Sequence, residues 1–190
     1  MTLRWDQRSR VSTYTQTWVS GLEPEFGSFE SIATTTVGSG GSTEIIFSSI
    51  PQTYKHLQIR GIVKNTVTEG NLNTQFNSDT AANYAFHQLT GDGASVASYA
   101  TTSSAYITNG NFSGVSAVFT GVIIDILDYA NTNKFKTTKN FCGFDRNGAG
   151  SFYLNSGHWR STSAITSIRL FAGNNAMEQY SSFALYGVKG

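Results

Sequence analysis

From residue 29 onward the chain is built of short runs in which apolar and polar residues alternate, and the runs stop at glycine, asparagine or proline. A period of two puts every second side chain on the same face of an extended strand. The run KHLQIRGIVK (55–64) is the clearest: Leu57, Ile59 and Val63 fall on one face, with Gln58, Arg60 and Lys64 on the other. FESIATTTV (29–37) and TEIIFSSI (43–50) flank the glycine turn GSGGS (38–42) and predict a β-hairpin that ends at Pro51. LNTQFN (72–77) and NYAFHQLT (83–90) are two further strands, joined through Ser78-Asp79-Thr80, with Gly91-Asp92-Gly93 closing the second. Residues 94–114 are rich in Ser, Thr, Ala, Asn and Gly without a period, and read as a long exposed loop.

SAVFTGVIIDILDY (116–129) is the strongest strand signal, with Val118, Val122, Ile124 and Ile126 on one face and Phe119, Ile123 and Leu127 on the other. Apolar residues on both faces predict a central strand covered twice. In a two-sheet fold the second cover has to come from a loop, from the N-terminal segment or from another subunit. FKTTKNFCGFD (135–145), GSFYLNS (150–156), HWRS (158–161), AITSIRLFA (164–172) and QYSSFALYGVK (179–189) complete about ten strands. No run has a helical period. The chain therefore reads as all-β, an antiparallel β-sandwich of jelly-roll type over residues 29–190. Its expected core is Ile45, Phe47, Leu57, Ile59, Val122, Ile124, Ile168 and Leu170.

Residues 1–28 differ from the rest. Trp5 and Trp18 appear there without any strand or helix period, beside Arg4, Arg8 and Arg10. Large rings without a core of their own need a surface to cover them. One reading is an extended arm that docks on a neighbouring subunit; the other is an extra strand of the same domain.

Composition narrows the function classes. Ser and Thr supply 46 of 190 residues, which favours strands and turns over helices. A net charge of +1 gives no field to attract nucleic acid or an anionic membrane. No window is apolar enough for a membrane span, and the first residues have no apolar signal core. The lone Cys142 cannot form a disulfide within the chain.

Candidate chemistry is sparse. His56, His87 and His158 stand far apart, without the spacing of a transition-metal site. Asp125 and Asp128 fall on opposite faces of one strand, so they do not form an acid–base pair. Cys142, between Phe141 and Phe144, reads as a small buried residue. GSGGS lacks the Lys-Ser/Thr of a phosphate loop, and no GxSxG elbow occurs. Asn77, Asp79 and Asp92 are the nearest approach to a calcium set, without its DxDxDG pattern. No catalytic, cofactor or metal residue is therefore assigned. Binding fits better: Tyr99 and Tyr106 lie in the polar 94–114 stretch, and Trp159 lies beside Tyr153, His158 and Arg160 near an Asn155-Ser156-Gly157 turn. Trp159 reads either as an exposed contact ring or as a core or subunit-interface residue.

Several segments carry a family resemblance: IATTTVGSGGSTEIIFSSIPQTYKHLQIRG, FNSDTAANYAFHQLTGDG, VIIDILDYANTNKFKT and QYSSFALYGVKG. Together, over residues 29–190, they resemble a domain of tailed-bacteriophage virion structural proteins, found alone and at the end of longer tail-fibre-like chains. The resemblance implies a non-enzymatic virion component, assembled in the bacterial cytoplasm. It would be a capsid decoration (cement) protein, a homotrimer bound to the major capsid protein. The alternative is a tail-fibre or receptor-binding protein that meets a tail protein and a host surface glycan. No coiled-coil or repeat shaft is present, which favours decoration.

Overall fold

The computed structural model describes residues 28–115, 117–173 and 175–190. Twelve strands run through them: β1 (Phe29–Thr36), β2 (Glu44–Phe47), β3 (His56–Val63), β4 (Glu69–Phe76), β5 (Tyr84–Gly91), β6 (Val96–Ser104), β7 (Ile107–Ser113), β8 (Thr120–Leu127), β9 (Lys136–Asp145), β10 (Gly150–Trp159), β11 (Ile168–Phe171) and β12 (Ser182–Val188). The described residues contain no helix. Eight strands form one antiparallel sheet in the order β1-β12-β3-β8-β9-β10-β5-β6, and four form a second, β2-β11-β4-β7. The two sheets bury one apolar core between them. All eight expected core residues lie in it, none more than 4% exposed. The arm residues Arg4, Trp5, Arg8, Arg10 and Trp18 lie outside the described residues.

Three sequence expectations are corrected. The segments around GSGGS do not pair with each other: β1 pairs with β12 and β2 with β11. Gly40 and Gly41, at φ +95° and +76°, turn the chain from one sheet to the other. Ser42 then exchanges backbone hydrogen bonds with Met177. A glycine-rich turn permits a reversal but does not choose the partner strand. The 94–114 stretch is not a loop but the strands β6 and β7. As the edge of the long sheet, β6 is exposed on both faces and has no apolar period to read. β7 is largely buried, but Asn109 and Ser113 are polar, which hid its alternation. Finally, no turn separates GSFYLNS from HWRS; β10 runs without a break from the first into the second and ends at Trp159.

β7 is also where the sheets come closest, packing on β9 and β10. A Cβ on Gly110 would lie 2.7 Å from the Tyr153 ring, and one on Gly157 would lie 3.0 Å from Ile107 Cγ2 of β7. The contact is held by amides. Asn140 Nδ2 donates to Asn109 Oδ1 at 2.6 Å, Asn155 Nδ2 to the Asn109 carbonyl at 2.7 Å, and Asn109 Nδ2 to Thr74 Oγ1 at 2.8 Å. All four side chains are at most 2% exposed. Beyond this seam β5 and β6 continue the long sheet past the edge of the short one.

β8 occupies the fourth position of the long sheet, central as expected, with Val122, Ile124 and Ile126 buried. Its second cover is not found among the described residues, since Ile123 is 38% exposed. The two faces of one strand thus have different energetics. Ile124→Ala should cost about 2–5 kcal/mol in chemical denaturation, as cavity-forming core truncations do. Ile123→Ala should stay within about 0.5 kcal/mol of the parent.

Candidate interaction surfaces

The outer face of the long sheet is built by β-register. One row reads Arg60, Ile123, Phe141, Leu154 and Leu89 across β3, β8, β9, β10 and β5. The next reads Ile62, Gly121, Gly143, Phe152, Gly91 and, on β6, Val96. The apolar members are exposed, Phe141 at 51% and Leu154 at 52%. At about 4.8 Å per strand the belt runs about 24 Å. Phe152 leans over Gly91, where a Cβ would stand 2.4 Å from its ring. Gly121 and Gly143 are left as the floor of a notch walled by Ile62, Ile123 and Phe141. Two shallow depressions, about 750 and 530 Å³, meet there and share Phe141 and Gly143. Exposed apolar belts of this kind mark interaction surfaces.

A second surface lies in the corner where β5 and β6 overhang the short sheet. Phe86, Gln88, Tyr99 and Thr101 face it from the overhang, and Asn71 of β4, Thr108 of β7 and Tyr106 from the turn before β7 close it, around about 320 Å³. Through Asn71 and Tyr106 it continues into a trough of about 380 Å³ beside Phe171 and Asn175. The Phe86 and Tyr99 rings are 5.9 Å apart, and the Tyr106 ring stands edge-on to Phe171 at 5.6 Å. The structure therefore brings Tyr99 and Tyr106 into one groove. Sequence reading missed Phe86, Gln88 and Asn71, which lie on other strands and reach the corner only through the overhang.

Trp159 is corrected as an exposed contact. It is 3% exposed and packed on Phe76 and Tyr84, with Nε1 donating to Asp79 Oδ2 at 2.7 Å. The calcium candidates are similarly engaged. Asp79 also accepts from Ala81 N–H and Asn83 Nδ2, Asp92 accepts from Ala94 and Ser95, and Asn77 Oδ1 accepts from Thr166 and Ser167. Burial pushes the Cys142 thiol up to about 12, so it holds no thiolate at neutral pH. His158 stacks on Phe135 at 6.5 Å, and burial lowers its pKa. Asp128 follows β8 at φ +47° and pairs with Lys134 and Lys55.

No model of a known protein family matches this chain, and no curated protein matches it.

Asp79 gives the fold a dependence on acid. Burial raises its pKa, but hydrogen bonds from Asn83, Trp159 and Ala81 outweigh this and hold it below its ordinary 3.8. A carboxylate depressed by folding stabilises the protein fully above its unfolded pKa, and the effect is lost as pH falls through the folded value. Asp79→Asn should therefore lower Tm at pH 7, and the gap to the parent should close as pH falls below 3.8. Thermal melts of both proteins across this range test it.

Proposed function

We propose that this chain is a non-enzymatic structural protein of a tailed-bacteriophage virion, a capsid decoration protein that assembles as a homotrimer through the outer face of its long sheet. The observation that carries the reading is the apolar belt on that face, which no described residue covers. Phe141 and Leu154 are knobs, and the Gly121–Gly143 floor is a notch on the same surface, so one copy offers what the next can seat. The charges around the belt are Arg60, Lys139, Asp125, Asp145 and Asp92, with both signs present, and a second copy meets no field of a single sign. Segment resemblance to virion proteins supports the setting, where many copies of one chain lie side by side.

The strand order supports a jelly roll. β1-β12-β3-β8 and β2-β11-β4-β7 are the paired four-stranded sheets of that fold, with β9, β10, β5 and β6 added at the β8 edge. In this reading residues 1–28 attach the domain to the major capsid protein, with Trp5 and Trp18 as anchors and Arg4, Arg8 and Arg10 paired to acidic groups.

Sedimentation of the full chain at micromolar concentration should give a trimer, and Phe141→Ser combined with Leu154→Ser should give monomers that stay folded. A monomeric parent overturns the interface. Particle binding should weaken by about 2–4 kcal/mol for Trp5→Ala with Trp18→Ala, at unchanged Tm. Counting copies per virion tests the placement: hundreds agree with the head, and about a dozen would assign the protein to the tail.

A further inference from the structure

The groove under the overhang combines features that a single ligand class satisfies. Its exposed aromatic rings are Tyr99 at the overhang and Tyr106 at the corner, while Phe171, 9% exposed and under the Arg169 guanidinium, forms part of the trough wall. Tyr99 is 60% exposed, a large apolar surface turned to solvent and backed by Phe86. Between the rings stand amides and hydroxyls. Asn71 makes no side-chain hydrogen bond among the described residues, and neither phenol oxygen of Tyr99 or Tyr106 is engaged there. Gln88 Nε2 donates to Thr90 Oγ1 at 2.8 Å, which leaves its Oε1 as an acceptor. Every described residue that lines the groove and trough is free of formal charge.

This lining excludes several ligands. A phosphate, a nucleic acid or a sulfated polymer needs cations, and none of the described residues lining the groove is one. A purely apolar ligand would strand the Asn71 amide and the two phenols without partners. What fits is a molecule with apolar C–H faces and a rim of neutral hydroxyls, extended enough to pass from ring to ring. We infer that the groove is a binding site for a neutral oligosaccharide, with the Tyr99 and Tyr106 rings stacking on sugar faces and Gln88 and Asn71 hydrogen-bonding the hydroxyls. The volume, about 320 Å³ before the trough is counted, is that of a small-molecule site. The site lies away from the belt assigned to assembly, so it does not depend on that reading.

The test titrates the full-length protein with neutral hexasaccharides (cello-, malto-, chito- and mannohexaose), followed by heteronuclear NMR. At least one should bind with a Kd of about 1 mM or tighter, shifting the Tyr99 and Gln88 amides. Tyr99→Ala and Asn71→Ala should each weaken it about tenfold, while Tyr99→Phe keeps the stacking face and stays within about threefold. Tyr180→Ala removes an exposed ring outside the groove and should change nothing. Tyr99→Ala touches a mostly exposed side chain, and an unchanged Tm will separate lost binding from lost fold. The inference is overturned if no hexasaccharide binds, if Tyr99→Ala binds undiminished, or if a sulfated oligosaccharide displaces the neutral ones.

Discussion

Where β7 settles onto β9 and β10, two backbones come within reach of each other because Gly110 and Gly157 carry no side chain. That approach brings polar groups into the dry interior, where an amide without a partner is costly. Asn109 answers part of this by acting as both acceptor and donor, taking amides from Asn140 and Asn155 and giving one to Thr74, while Asn140 Oδ1, Asn155 Oδ1 and Thr138 Oγ1 stay buried without a hydrogen bond. Both sheets contribute, so neither can slide against the other without breaking several buried bonds at once. The rest of the architecture follows from the position of this seam. It sets where the short sheet ends, and so which part of the long sheet projects beyond it.

The projection gives the molecule two unlike surfaces. On the outer side of the long sheet, register lines up isoleucine, leucine and phenylalanine from successive strands. On the inner side of the overhang there is no opposing sheet to bury an apolar row, and the positions carry Gln88, Tyr99 and Thr101 instead. The same two strands thus face a surface suited to protein on one side and a surface suited to a polyol on the other. Low charge density serves both. It removes self-repulsion from the belt and leaves the groove without a preference for ions.

Much of the sandwich could be read along the chain. β3 and β8 alternate so regularly that their inward residues, from Leu57 to Ile126, follow from period alone. The partners of β1 and β2 could not, because pairing depends on residues 168–188, more than a hundred positions away. β6 and β7 were hidden for opposite reasons, one exposed on both faces and the other buried behind polar side chains. Of the groove, only Tyr99 and Tyr106 stood out, as rings in a polar stretch. Trp159 could be read either way from its neighbours in sequence, and only the fold decides: its ring packs on Phe76 and Tyr84 while its indole N–H reaches out to Asp79 in the turn before β5.

The outermost strand has a consequence of its own. β6 runs for nine residues without a lysine, glutamate or proline, and its free side offers unpaired N–H and C=O groups. Proteins generally blunt such an edge with charge or with a bulge, because an open ladder recruits any extended chain that meets it. Here the register with β5 shifts between Tyr84 and Phe86, and the Arg160 guanidinium takes the Thr102 carbonyl at 2.5 Å. The shifted register and the Arg160 contact fix the far end of the strand to the elements beside it, while the rest of the edge stays open. An open ladder of this kind would show first in colloidal behaviour, as fibrous or gelled material at high concentration, with the melting temperature scarcely altered.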